Sequence, residues 1–327
     1  MLISGFRKRG AISSWEAQGL SETKLKIGVM SGFASPAEAR HTVEYAERLG
    51  FDSLWVGDHV AFPVPILDAL IQLALAAGYA EKISLGTCVY LLPLRHPTTV
   101  AKQVGTLDRI LDGRFVFGVG VGGEFPNEYA ACGVPAQQRG ARLSEGIEVL
   151  KALWRAEQTS FDGRYYAFQD VQMLPAPATE GGPPIWCGGR SKAALRRAGR
   201  LADGYISYAV DVEMYRDALE VIDTARQQAG REMDAFQRAH MLFTRIDDRY
   251  EDAHKAATDH LSRRYAMDFS KPAKRYAALG KPADVAAAIE QFSSAGASQI
   301  VLDLTGPMAE RDEQLQRFSE EVRPLLS

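Results

Sequence analysis

The chain has few of the features that mark secreted, zinc-binding or nucleic-acid-binding proteins. Only three cysteines occur among its 327 residues, and none lies in a Cys-x-x-Cys pair, so neither a disulfide framework nor a structural zinc site is predicted. The formal net charge of −3 provides no basic surface for nucleic acid or an anionic membrane. No apolar run reaches transmembrane length, and the first residues lack the apolar core of a secretory leader. We therefore expect a cytoplasmic protein without membrane or nucleic-acid partners.

Short β-rich runs alternate along the chain with amphipathic segments of helical period. Strands are predicted at 25–30, 53–57, 84–89, 114–119, 184–187, 205–208, 241–246 and 299–304. Eight strands that alternate with helices indicate a parallel sheet covered on both faces. Closure into a single (β/α)₈ TIM barrel over residues 25–327 is the simplest arrangement, and an open doubly wound sheet is the alternative. Residues 1–24 are interpreted as an N-terminal extension.

One segment interrupts this alternation. Residues 157–183 form an insertion between the fourth helix and the fifth strand, and they show no clear helical pattern. A connection of this length is typical of a lid or a binding loop. A small hairpin packed on the side of the barrel is the alternative, and the sequence leaves both open.

Candidate catalytic residues are sought after the strands, because the active site of such a barrel lies at the C-terminal ends of its strands. His59 follows the second strand and could give or take a proton near neutral pH; the alternative is a rim histidine bonded to backbone. Glu124 follows the fourth strand as a candidate acid or base, or as a surface carboxylate. Asn127 could bind a ring carbonyl or a tail hydroxyl, or could be a turn residue.

Two glycine-rich turns also lie at strand ends. Gly118–Gly123 has the formal Gly-x-Gly-x-x-Gly pattern of a Rossmann unit. Such a unit would need an acidic residue at the end of the next strand, whereas the next predicted strand here ends in Cys187-Gly188-Gly189. We therefore interpret these glycines as positions where backbone approaches a flat ring closely. Gly188-Gly189-Arg190-Ser191 directly precedes a helix, which favours an anion site over an ordinary capped turn.

The remaining reactive side chains offer little else. Cys88 is more typical of a small buried hydrophobe than of a nucleophile, since no base is adjacent in the sequence. We find no cluster of metal ligands and no serine-hydrolase or phosphate-loop motif, so no metal site is predicted. His41, His254 and His260 fall on predicted helices and are expected to be solvated.

Taken together, several motifs resemble the luciferase-like monooxygenase superfamily over about residues 25–320. The resemblance is carried by Arg95-His96-Pro97, Thr106-Leu107-Asp108, the run Gly118–Glu128, Gly133-Val134-Pro135, Arg139-Gly140, Pro183–Ser191 and Leu201–Gly204. Within the superfamily the chain is most similar to the branch that uses the deazaflavin coenzyme F420. The Asp58-His59 pair and the Gly123-Glu124 pair with Asn127 carry that closer resemblance.

The resemblance implies hydride transfer between F420 and a small organic substrate in a homodimer, with His59 and Glu124 managing the accompanying proton. The residues that it implies for cofactor binding are Asp58, Thr87, Cys88, Val89 and Asn127 at the ring, and Cys187, Gly188, Gly189, Arg190 and Ser191 at the tail phosphate. It also implies a non-prolyl cis peptide bond between Cys88 and Val89. In this arrangement the cofactor performs the redox step and the protein orients the reactants.

Two departures place glucose 6-phosphate in doubt as the substrate. Sugar-phosphate dehydrogenases of the F420 branch have a tryptophan where this chain has Pro63. Those enzymes also have a lysine after the sixth strand, and residues 207–211 of this chain contain none. The alternatives for the protein as a whole are an FMN-dependent monooxygenase on the same fold, a catalytically inert flavin-binding protein, and a Rossmann dehydrogenase.

Overall fold

Parallel strands form the centre of the protein. The computed structural model describes residues 24–123, 125–232 and 235–326. Its strands are β1 Lys26–Met30, β2 Ser53–Val56, β3 Ser84–Thr87, β4 Phe115–Val119, β5 Thr159–Asp162, β6 Ala167–Val171, β7 Ile185–Gly188, β8 Gly204–Tyr208, β9 Gln237–Ile246, β10 Ala277–Gly280 and β11 Gln299–Leu304. Parallel pairing runs in the order β11-β1-β2-β3-β4-β7-β8-β9, and β9 also pairs with β11. The ring is therefore closed, and the predicted TIM barrel is confirmed.

Helices cover the outside of this ring. They are α1 Pro36–Arg48, α2 Ala69–Ala77, α3 Pro97–Ile110, α4 Pro126–Ala131, α5 Arg139–Trp154, α6 Lys192–Leu201, α7 Val212–Gln228, α8 Tyr250–Tyr265, α9 Ser270–Tyr276, α10 Pro282–Ser294 and α11 Arg311–Arg317. The first helix illustrates why they form: Ser35 caps α1 by accepting from the Glu38 N–H at 3.2 Å. Ala39, Val43 and Ala46 then form its buried face. No helix of the described ranges is long and apolar enough to cross a membrane.

Large side chains fill the inside of the barrel. Trp55 of β2 and Trp186 of β7 meet there, with ring centroids 5.1 Å apart. Glycines on neighbouring strands make room for them. A Cβ at Gly86 would lie 2.5 Å from the Trp55 ring, and one at Gly204 would lie 2.5 Å from Trp186. The interior of the barrel is thus a packed core, as expected for a barrel of eight strands.

The insertion is a hairpin on the side of the barrel. Strands β5 and β6 pair antiparallel. Their connecting turn is held by the Glu145 carboxylate of α5, which accepts from the N–H groups of Arg164, Tyr165 and Tyr166 at 3.1, 2.7 and 2.7 Å. No residue of 157–183 lines the cavity described below. Of the two alternatives, the structure thus shows the hairpin rather than a lid.

Apart from the hairpin strands β5 and β6, which the sequence left as an alternative, strand β10 was missing from the sequence prediction. Strand β10 pairs with the last residues of β9, from Phe243 to Ile246, beyond the point where β8 has ended. Its four residues, Ala-Ala-Leu-Gly, are too short and too rich in alanine to show a strand pattern. Only the length of β9 creates the free edge to which β10 binds.

Candidate functional site

A cavity of about 1150 Å³ opens at the C-terminal ends of the barrel strands. Every strand of the ring, or the loop that follows it, contributes to its wall. His59 after β2 and the Gly188-Gly189 turn at the end of β7 line the same space, as the sequence predicted. No group of three or more potential metal ligands occurs among residues 24–123, 125–232 and 235–326.

His59 forms one wall of this cavity, with 17% of its side chain exposed. Its Nδ1 lies 3.2 and 3.3 Å from the two carboxylate oxygens of Glu128. Phe62 stacks on the imidazole with ring centroids 4.1 Å apart, and Phe125 meets it edge-on at 5.9 Å. With Nδ1 held by a carboxylate, Nε2 is the nitrogen that can exchange a proton with a bound molecule.

Glu128 is a residue of this site that the sequence analysis did not single out. It lies on α4, its side chain is fully buried, and its Oε2 also accepts from the N–H groups of Val60 at 2.7 Å and Ala61 at 3.1 Å. One carboxylate therefore fixes both the loop after β2 and the ring of His59. The only sequence signal was its place at the end of the Gly118–Glu128 run.

Asp58 lies beside His59, but its hydrogen bonds connect two loops of the protein. Its buried carboxylate accepts from the Leu91 N–H at 2.9 Å and from both Nη atoms of Arg95, at 2.5 and 2.8 Å. Burial raises the pKa of Asp58, and the Arg95 guanidinium opposes this shift. Asp58 borders the cavity, yet its oxygens are occupied by partners that tie the β2 loop to the segment after β3.

The segment after β3 forms a second wall. The peptide bond between Cys88 and Val89 is cis, as the resemblance implied. Both residues line the cavity, and the Cys88 Sγ lies 3.8 Å from the Met241 Sδ. Burial raises the pKa of the Cys88 thiol, which agrees with a packing role rather than a nucleophilic one.

Two glycines of the Gly118–Gly123 run make room for this segment. A Cβ at Gly118 would lie 1.9 Å from the Thr87 carbonyl oxygen, and one at Gly120 would lie 2.4 Å from a Val89 methyl group. Gly188 on the other side is similarly close to Val89, at 3.0 Å. Our interpretation as a ring contact is corrected for Gly118, which does not line the cavity, and stays a prediction for Gly120, which does.

The turn after β7, two strands from β3 in the ring, forms a third wall. Gly188, Gly189, Arg190 and Ser191 all line the cavity. The Ser191 hydroxyl caps α6 by accepting from the Ala194 N–H at 3.2 Å. Arg190 donates to the Ala209 carbonyl at 3.0 Å and lies over the Tyr208 ring. The positive φ of Gly189, 120°, is one that other residues rarely adopt.

Three of the predicted residues do not line the cavity. Thr87 is buried and donates to the Gly118 carbonyl at 2.7 Å, while Cys187 faces the core, where burial raises its pKa to about 12. Asn127 is exposed on α4 and does not line the cavity. Glu124, predicted as an acid or base, lies outside the described residues.

The cavity wall after β11 contains a polar cluster that includes a histidine predicted to be solvated. Arg264 forms a two-point ion pair with Asp303, and its Nη2 donates to the His260 Nε2 at 2.8 Å. His260 Nδ1 in turn donates to the Gly306 carbonyl at 2.8 Å. Burial and the Arg264 charge lower the pKa of His260. The prediction was wrong for this residue because α8 turns it towards the barrel; His41, by contrast, is exposed.

Fold and site together define a TIM barrel with a strand-end cavity, a histidine–carboxylate pair and a cis-peptide segment. The family model of the luciferase-like monooxygenases matches residues 13–321, and the chain belongs to this family.

Three similarities are informative. The chain is 27% identical over 337 residues to an F420-dependent glucose-6-phosphate dehydrogenase of Amycolatopsis mediterranei, covering 92% of this chain and 98% of that one. Its fold matches an F420-dependent secondary alcohol dehydrogenase in complex with an F420-acetone adduct, with a TM-score of 0.82, 21% identity, and 93% and 99% of the two chains covered. It also matches the oxygenating constituent of 3,6-diketocamphane monooxygenase from Pseudomonas putida in complex with FMN, with a TM-score of 0.72, 19% identity, and 93% and 99% covered.

Proposed function

We propose that the protein is an oxidoreductase that transfers a hydride between coenzyme F420 and a small organic substrate. The observation that carries the proposal is the meeting of three elements in one cavity: His59 backed by Glu128, the cis segment Cys88–Val89, and the turn Gly188–Ser191. Relatives named as F420-dependent enzymes support it.

The residues present fit a deazaflavin with a phosphorylated tail. The wall at Cys88 and Val89 is apolar, and it stands in a cavity large enough for a ring system and a second molecule. Two strands further along the ring, the capped N-terminus of α6 and the guanidinium of Arg190 offer donors to an anion. Cys88 and Val89 would support the ring, and Gly188, Gly189, Arg190 and Ser191 would hold the tail phosphate.

When bound, F420 accepts or donates the hydride, and the protein's own residues manage the proton. His59 would take the hydroxyl proton of an alcohol as it is oxidised, or return it in the opposite direction. Glu128 holds the imidazole and stabilises its protonated form through Nδ1. Glu124 stays a predicted partner in proton transfer. Asp58 orients the loop that carries His59, while Thr87, Cys187 and Asn127, predicted as cofactor contacts, have no such role in this proposal.

An FMN-dependent monooxygenase is the second candidate, because a structural neighbour on this fold is described in complex with FMN. Titration of the apo-protein with F420 and with FMN, followed by cofactor fluorescence, distinguishes the two. We expect tighter binding of F420 and turnover with alcohols or carbonyl compounds. Tighter binding of FMN together with oxygen consumption would replace this proposal. Tight binding without turnover over a broad substrate panel would indicate the inert flavin-binding protein.

The oligomeric state, the location and the N-terminal extension of the protein stay predictions. A homodimer, a cytoplasmic location and a separate N-terminal extension at residues 1–24 follow from the sequence and the resemblance. Residues 1–23 lie outside the described part of the chain. Size-exclusion chromatography with light scattering would test the dimer directly.

A further inference from the structure

One cation in the cavity wall has hydrogen-bonding capacity that the described protein does not use. Arg311 begins α11, directly after the loop that follows β11, and lines the cavity. Its Nη1 donates weakly to the Thr42 hydroxyl of α1, at 3.4 Å. Its Nη2 is buried and has no hydrogen-bond partner among the described residues. A buried guanidinium N–H without an acceptor is unfavourable, so this group is suited to an acceptor from outside the chain.

The carboxylates nearest in sequence and fold are occupied elsewhere. Asp312, the next residue, accepts from His41 at 2.6 Å on the exposed side of α1. Glu38, one turn before Thr42 on α1, lines the same cavity, but its carboxylate accepts from the Ala34 N–H at 2.8 Å. Neither forms an ion pair with Arg311 within the described ranges. Burial lowers the pKa of Arg311, and Asp312 offsets this only in part.

The place of Arg311 in the barrel separates it from the turn after β7. Strand β11 is the neighbour of β1, and in the ring of eight strands β1 lies opposite β7. Arg311 and Gly188–Ser191 therefore lie on opposite sides of the cavity mouth. If the tail phosphate of the cofactor is bound at Gly188–Ser191, the part of the cavity next to Arg311 stays open for the substrate.

We propose that Arg311 binds an anionic group of the substrate, a carboxylate or a phosphate. Planar guanidinium groups bind both through paired, charge-assisted hydrogen bonds. The inference rests on the proposed function and narrows its substrate class: an alcohol or carbonyl compound that carries an anion at one end. The anion is held between α1 and the loop after β11, and the reacting carbon lies towards His59.

The test uses the apo-protein, so that it requires neither cofactor nor turnover. Inorganic phosphate and acetate are titrated by calorimetry into wild type, Arg311→Gln, Arg311→Lys and, as the matched control, Arg216→Gln on the exposed side of α7. Each titration is repeated with Arg190→Gln added, so that binding at the proposed tail-phosphate turn is told apart from binding at Arg311. In both series we expect a site that Arg311→Gln weakens by at least about tenfold and that Arg216→Gln leaves unchanged. Arg311→Lys retains the charge and should fall between wild type and Arg311→Gln. The anion that binds more tightly identifies the substrate group.

A second measurement needs no variant. Wild-type protein is modified with the arginine reagent phenylglyoxal, with and without phosphate or acetate, and the modified sites are mapped by mass spectrometry. Protection of Arg311 by either anion supports the inference. Equal modification in all conditions, or equal anion affinity in wild type and Arg311→Gln, overturns it. Either result leaves the oxidoreductase proposal standing, since that proposal depends on the cofactor titration.

Discussion

His59 and His240 are both largely shielded from solvent, but His59 lines the cavity and His240 is enclosed in the barrel wall. His59 lines the cavity, with Nδ1 on the Glu128 carboxylate and Nε2 left for a bound molecule. His240 lies in the barrel wall, with Nδ1 2.7 Å from the Ser207 hydroxyl and its ring stacked on Phe292 at 3.9 Å. Burial lowers the pKa of His240 to about 3. His59 thus has an acidic partner and access to the cavity, which suit it to the proton transfer proposed above, and His240 has neither.

The largest expected effect is the loss of turnover when His59 is replaced. Replacing His59 with alanine should lower turnover with F420 by about 10²–10⁴-fold, the usual contribution of a general acid–base. Binding of F420 should change little, because the ring supports at Cys88 and Val89 remain. Steady-state kinetics and a fluorescence titration measure the two quantities. His254→Ala, on α8 away from the cavity wall, is the control, and wild-type turnover in His59→Ala would refute the proposed role.

The barrel-wall histidine should instead affect stability at low pH. A base whose pKa is lower in the folded than in the unfolded protein takes up a proton on unfolding, so acid favours the unfolded state. Between pH 6.5, the ordinary pKa of a histidine, and about pH 3, protonation of His240 in the unfolded chain should lower the unfolding free energy as pH falls, by roughly 1 kcal/mol per pH unit. Urea unfolding across this range should show a shallower pH dependence in His240→Leu than in wild type. The exposed His41→Gln serves as the control, and an unchanged slope in His240→Leu would contradict the assignment.

Replacing Glu128 tests whether its carboxylate orients the His59 ring as well as stabilising the loop after β2. Glu128→Ala leaves two backbone N–H groups without their acceptor and should cost about 1–3 kcal/mol of unfolding free energy. Turnover should also fall, though less than in His59→Ala, because the imidazole remains but is no longer oriented. Chemical denaturation and kinetics measure both effects. The exposed Glu148→Ala, on α5, should stay within about 0.5 kcal/mol of wild type. Full activity in Glu128→Ala would show that the pair is only structural.

The smallest effect concerns the turn after β7. Ser191→Ala removes the cap of α6 and should cost about 1 kcal/mol. Ser191→Asp keeps a capping oxygen and should retain the stability of wild type, but it places a negative charge where the tail phosphate is proposed. Thermal unfolding and the F420 dissociation constant separate the two roles. Equal F420 affinity in wild type and Ser191→Asp would count against a phosphate site at this turn.

Much of the framework was predictable, since strand and helix periods are local properties of the chain. The strand prediction at 299–304 matches β11, and the others agree within a few residues. The turn Gly188–Ser191 was also placed correctly, because a strand end followed by a helix cap is visible in consecutive residues. The sequence could not show that Thr87 and Cys187 face away from the cavity, which depends on how β3 and β7 are oriented in the closed ring.

The sequence by itself determined the alternation of strands and helices, and therefore which loops gather at one end of a barrel. Only the tertiary structure decided which side chains meet there. Glu128 reaches His59 across 69 positions of the sequence, and the guanidinium of Arg311 lies against Thr42 of the first helix across 269. Such pairings depend on barrel closure, which brings distant segments together by burying apolar surface and leaves no periodic trace in the chain.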